Sequence, residues 1–146
     1  GRNLNIFIRI FKFYIVLVAK KIGERTMVKS YKDLLIWQKG MDLVQLIYEL
    51  THQFPKHEQY GLSNQLRRAA VSIPSNIAEG QARQSTLEFR NFLSIARGSL
   101  AEVETQLLIA RRLGYVQQNT LDRVLDIQEE LSRMIPTLMK KLPAPK

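Results

Sequence analysis

No cysteine occurs among the 146 residues, which excludes disulfide staples, thiolate metal sites and cysteine nucleophiles. Histidine is confined to His52 and His57, and from Asp33 onward glycine and proline concentrate between periodic segments and in the tail. Long apolar runs are missing too. The most apolar stretch, Leu4 to Ala19, is broken by Arg9 and Lys12 and falls short of the roughly 18 uninterrupted residues a membrane span needs. The following Val18-Ala19-Lys20-Lys21 offers no small-residue cleavage site for a secretory signal. With neither span nor leader, a cytoplasmic protein without membrane contact is expected. Acidic residues are outnumbered, 13 against 22 basic ones, for a net charge of +9. What remains is a single-domain chain, 45% apolar, able to bury about 68–70% of its unfolded surface without staples or structural metal. Its charge points to an anionic partner such as RNA or DNA and says nothing of fold.

The charge is uneven. Residues 1–26 hold six basic residues and one acid, leaving the body from Met27 with only +4. Because Met27 opens a segment of different character, residues 1–26 are read as an N-terminal extension outside the fold, with Met27 as the natural start. Residues 27–146 are read as one domain. From Asp33 onward the apolar spacing is helical, with no sustained alternation of the kind a half-buried strand shows. The first helix is expected from Asp33 to Gln53, with one apolar row at Leu34, Trp37, Met41, Val44 and Tyr48 and a second at Leu43, Leu46, Leu50 and Phe54. A second helix starts near Gly61, carries Leu62, Leu66, Ala69, Ala70, Ile73 and Ile77, is kinked or broken at Pro74, and ends at Gly80. The third opens on a capping box, Ser85-Thr86-Leu87-Glu88, and runs to Leu113 before Gly114. Its seam is Phe89, Leu93, Ala96, Leu100, Val103, Leu107 and Ala110. The fourth spans Thr120 to Leu142 with Leu121, Val124, Gln128, Leu131, Ile135 and Leu138, bends at Pro136, and leaves a disordered tail, Pro143 to Lys146. Short connections make neighbours antiparallel, so an all-α, up-down-up-down four-helix bundle is expected.

The third helix carries apolar residues beyond its seam, at Leu87, Phe92, Ile95, Ala101, Leu108, Ile109 and Leu113. A helix apolar around most of its circumference is buried on more than one side, which in so small a chain favours self-association over a central helix in a monomer.

Chemistry-bearing motifs are sparse. Glu49 and His52 form one Glu-x-x-His unit of the kind found in di-iron bundles, but such a site needs two units, and the other histidine, His57, lies after Pro55 with Phe54 three residues before it, so no metal or cofactor is expected. No phosphate loop, nucleophile elbow or zinc-protease motif occurs, and no base accompanies Ser63, Ser72, Ser75, Ser94 or Ser99, so no enzyme is expected. The basic residues of the central helices are arginines: Arg67, Arg68, Arg83, Arg90, Arg97, Arg111 and Arg112. Arg90, Arg97 and Arg111 share one heptad stripe, with Glu104 in the gap. They serve either interhelical pairing, as flanking charges in bundles do, or a phosphate track exploiting the planar guanidinium. Glu79 and Arg83 suit an i, i+4 pair.

Several segments together carry a resemblance. They are Lys32-Asp33-Leu34-Leu35-Ile36-Trp37-Gln38-Lys39, Phe54-Pro55 through Tyr60-Gly61-Leu62, and the unusual run Gln65 to Gly80 with its Ser72-Ile73-Pro74-Ser75-Asn76-Ile77-Ala78-Glu79-Gly80 core. Glu88-Phe89, Phe92-Leu93, Gly98-Ser99-Leu100 and Glu104 through Tyr115 continue it. Over residues 30 to 142 the chain resembles the four-helix bundle proteins encoded in 23S ribosomal RNA intervening sequences. That family is also similar to accessory proteins of diversity-generating retroelements. The resemblance implies a homopentameric barrel, a basic surface binding nucleic acid, and a reverse transcriptase as a partner. It also gives Asn76 and Glu79 buried or interface hydrogen bonds. The alternative it leaves is a protein-binding scaffold or accessory subunit without direct nucleic-acid contact.

Overall fold

The protein, seen in a computed structural model, is described here over residues 30–144. The extension 1–26, Met27 and the last two tail residues lie outside the described residues. Four long helices and two short 3₁₀ turns make up the described chain, without a strand. The helices are α1 (Leu35–Thr51), α2 (Leu62–Ala82), α3 (Thr86–Arg112) and α4 (Gln118–Lys141). Side-chain pairings fix their directions. Thr51 at the end of α1 meets Arg67 near the start of α2, while Gly40 faces Pro74 farther along it. Gly80 late in α2 meets Phe92 early in α3, and Ser72 meets Ser99. Arg90 early in α3 reaches Met139 late in α4, and Arg111 reaches Gln118. Each successive pair is thus antiparallel. α4 closes on α1, held by a 2.7 Å bond from Lys39 Nζ to Glu130 Oε2.

The core is a stack of facing rows. Leu66, Ala70, Ile73 and Ile77 of α2, Leu93, Leu100, Val103 and Leu107 of α3, and Leu121, Val124, Leu131, Ile135 and Leu138 of α4 are all buried at the expected spacings. α1 differs from the expectation. Leu43 and Leu50, with Phe54 beyond its end, are buried as expected, but the row is completed by Ile36, Gly40 and Ile47; of the other expected row Leu34 is buried, whereas Met41 and Tyr48 stand exposed and Trp37 and Val44 lie on the flank. Gly40 sits on the buried side facing Pro74, where a Cβ would meet the proline at 3.4–3.5 Å, an ordinary contact.

Gly80 does not end α2, which continues to Ala82; the chain then turns through Gln84 in the left-handed region. Gly80 is a packing residue instead: a Cβ there would fall 2.6 Å from the Cβ of Phe92. Pro74 does not break α2, because it sits buried inside one continuous helix; α4 likewise continues through Pro136. Gly114, at φ +78°, follows the end of α3 as expected. The capping box at α3 is half formed. The Ser85 hydroxyl accepts from the Glu88 amide, while the Glu88 carboxylate turns to Arg83.

Candidate nucleic-acid interface

The fold divides the seven arginines that the sequence offers for phosphate contact. Arg83, at the C-terminal cap of α2, is exposed but neutralised: its guanidinium bonds Glu79 at 3.0 Å and lies 3.7 Å from Glu88. The Glu79 hydrogen bond and both carboxylate charges raise its pKa above the ordinary arginine value. Arg90 is turned to the end of α4, where a helix leaves its last carbonyls unsatisfied. It donates to the carbonyls of Met139 at 2.8 Å, Leu142 at 3.0 Å and Pro143 at 3.2 Å. It therefore serves as a C-terminal cap and is not free for phosphate. Glu79 is also exposed and ion-paired, so among the described residues it makes no buried bond of the kind expected.

The other five have no carboxylate within ion-pair distance among the described residues. Arg68 on α2 and Arg97 and Arg112 on α3 are exposed and make no hydrogen bond there. Arg111 spends only its Nε, on Gln118 at 3.2 Å. Arg67 is half-buried. Its Nε donates to the buried Thr51 hydroxyl at 2.8 Å, and its guanidinium lies 4.7 Å from the centre of the Tyr48 ring. The heptad stripe is thus split: Arg90 and Arg111 touch α4, through carbonyl and amide oxygens, while Arg97 between them stays open. Interhelical carboxylate pairing does not consume these side chains. The ion pair that ties two helices across the bundle belongs to Lys39 and Glu130, which the sequence did not single out.

Polar groups elsewhere are structural. Asn76 Nδ2 donates to the Ser72 carbonyl and hydroxyl at 2.7 and 2.8 Å, and the Ser72 hydroxyl meets Ser99 at 2.8 Å, linking α2 to α3. Gln128, wholly buried, donates to Ser132 at 3.1 Å and the Leu100 carbonyl at 3.3 Å, leaving its Oε1 without a partner. Near the loops, Glu58 accepts from the Leu62 amide at 2.8 Å and from the Tyr115 hydroxyl at 3.3 Å. Burial, with the charge and hydrogen bond of Glu58, raises the Tyr115 pKa. Glu49 and His52 are both exposed, and Glu49 accepts from Gln45. Among the described residues, no group of three or more histidine or acidic side chains is placed to hold a metal ion. No described helix is long and apolar enough to cross a membrane.

The outer face of α3 carries Leu87 and Ile95 at 52% and 51% exposure, with Leu108 and Ile109 beside them and Leu113, its C-terminal cap, at 54%. Gly98 lies in the open, since a Cβ there would meet nothing within 4 Å. α3 is therefore not a central helix in the isolated chain. Its second apolar side faces out.

No curated protein matches the chain. Among solved structures, it is similar to a protein of unknown function from the S23 ribosomal protein family of Bacteroides thetaiotaomicron, at 23% identity and a TM-score of 0.66. That likeness covers 73% of this chain and 99% of the other, and it is a likeness of fold. The sequence matches the family described as 23S rRNA-intervening sequence protein over residues 32–137, which holds the first three helices and most of the fourth. By that match, which takes in most of its length, the chain belongs to the 23S rRNA-intervening sequence protein family.

Proposed function

We propose that the bundle self-associates through the outer face of α3, as a homopentamer, and binds RNA or DNA through Arg68, Arg97, Arg111 and Arg112 without catalysing a reaction. The observation that carries the reading is the state of these arginines: exposed, and without a carboxylate partner among the described residues. A guanidinium left unpaired keeps all its charge for phosphate, which it engages through two parallel hydrogen bonds. The apolar residues on α3 support association, because exposed patches of that kind mark interaction surfaces. Association also multiplies charge, since each body from Met27 contributes +4.

The test is RNA binding by fluorescence anisotropy, comparing the parent chain with an Arg97→Gln/Arg112→Gln variant and weighing both by mass photometry. Weaker binding at unchanged oligomer mass is the expected result. Equal binding by the two proteins, or none by the parent, contradicts the proposal. The apolar α3 face also favours a second reading, an accessory scaffold for a nucleic-acid enzyme such as a reverse transcriptase. Under that reading, Ile95→Glu abolishes capture of the enzyme and the arginine variant does not.

A further inference from the structure

A groove opens between α1 and α2, lined by Tyr48, Asn64, Arg67, Arg68, Val71 and Ser72. Its two walls differ in chemistry. On the α1 side stands Tyr48, 41% exposed although the expected apolar row placed it inward. On the α2 side Asn64 and Arg68 stand four residues apart on one face of the helix and offer hydrogen-bond donors, while the hydroxyl of Ser72, the next lining residue, is engaged with Ser99 and Asn76. Val71, also exposed, adds an apolar contact between them. No carboxylate lines the groove.

Arg67 holds the two walls together. Its Nε is fixed on Thr51, whose own hydroxyl is anchored on the Ile47 carbonyl at 2.8 Å, and its guanidinium lies over one face of the Tyr48 ring, 4.7 Å from the ring centre. The ring and the guanidinium are therefore ordered before any ligand arrives, which removes part of the entropy loss of binding. The terminal nitrogens of Arg67 make no hydrogen bond among the described residues, so they remain available as donors.

A flat aromatic wall beside hydrogen-bond donors, without an acid, fits a ligand that is itself flat and apolar at one end and anionic at the other. We propose that this groove seats one nucleotide of a single-stranded nucleic acid, its base against the face of Tyr48 that Arg67 leaves open and its phosphate on Arg68, with Asn64 and Ser72 beside it. The inference rests on the nucleic-acid reading above and gives it a place and a strand preference. A duplex hides its base faces, whereas a single strand offers them for stacking on aromatic side chains.

The experiment uses the full chain and fluorescently labelled oligo(U) of about 12 nucleotides, within the usual single-strand site size, its DNA counterpart, and a duplex of the same length. Tyr48→Leu weakens single-strand binding about tenfold by removing the stacking surface, leaves the salt dependence unchanged, and leaves duplex binding alone. Tyr48→Phe keeps the ring and binds as the parent does. Arg68→Gln weakens every arm and lowers the slope of log K against log salt by about 0.7, the share of one phosphate on a single strand. Weaker binding of the RNA or of the DNA strand supports the seat and identifies the strand it takes. Parent binding with Tyr48→Leu and Arg68→Gln unaltered overturns the groove while the nucleic-acid reading stands. No binding by the parent removes both. A fall in oligomer mass in either variant overturns the seat by showing that the groove is a contact between subunits.

Discussion

Gly40→Ala and Gly80→Ala are the same chemical change at two buried helical glycines, and the structure assigns them opposite signs. In a helix, alanine is favoured over glycine by about 0.8–1.0 kcal/mol, and this gain is common to both sites. The neighbours differ. A Cβ at Gly40 would lie 3.4–3.5 Å from atoms of Pro74, an ordinary contact. At Gly80 it would lie 2.6 Å from the Phe92 Cβ and 3.0 Å from the Phe89 Cδ2. The Phe92 Cβ is not the end of a flexible side chain, so α2 and α3 must separate to relieve the overlap. Overpacking of that kind costs about 1–3 kcal/mol. Gly40→Ala should therefore hold or raise stability by up to about 1 kcal/mol, and Gly80→Ala should fall below it by about 1–3 kcal/mol. Urea melts followed by circular dichroism at one fixed protein concentration measure the difference as a shift in midpoint at constant slope. Equal midpoints for the two variants would refute the claim that Gly80 is kept for helix contact.

Three further changes probe other parts of the fold. Gln128→Leu should raise stability by about 1 kcal/mol, because a leucine removes the buried Oε1 that has no partner; a decrease of similar size in the same melts would show that the amide bonds outweigh it. Arg90→Gln should fray the end of α4, seen as faster hydrogen exchange over residues 138–142 with α1 unaffected, since the cap on Met139, Leu142 and Pro143 is gone; unchanged exchange there argues against the cap. The raised pKa of Tyr115 means that its contribution to stability is complete below the ordinary phenol value, about 10, and is lost as pH rises through the folded value. Tyr115→Phe should accordingly flatten an alkaline unfolding profile, and an identical profile in the two proteins would exclude that role.

The rows of α3 and α4 were legible because each helix sets its core residues at strict three- and four-residue spacing: the α4 row, down to the polar Gln128, is buried as read. α1 was harder, since Leu34 to Trp37 are apolar all round and periodicity alone names no face. The buried face is set by contact with the neighbouring helices, as where Gly40 faces Pro74, and no local window contains such a contact. Gly80 misled for a related reason, because a glycine near a helix end reads equally as a stop or as a close approach. Among the arginines, heptad spacing correctly placed Arg90, Arg97 and Arg111 on one flank. It could not show that Arg90 comes level with the open carbonyls of α4 while Arg97 faces nothing, since that depends on how far each helix runs. The pairing of Arg67 with Tyr48 joins two helices and left no mark in either one's pattern.

The most direct test of the central claim is RNA affinity of the full chain across about 50 to 200 mM salt, beside an Arg68→Gln/Arg97→Gln/Arg112→Gln variant, with oligomer mass taken on each sample. The extension is common to both proteins, so the difference belongs to the bundle. The account predicts an associated species whose log K falls linearly with log salt, and a slope in the variant that is shallower by about 0.7–0.9 for each phosphate no longer neutralised at a binding site. A monomer, or identical slopes in the two proteins, would contradict it.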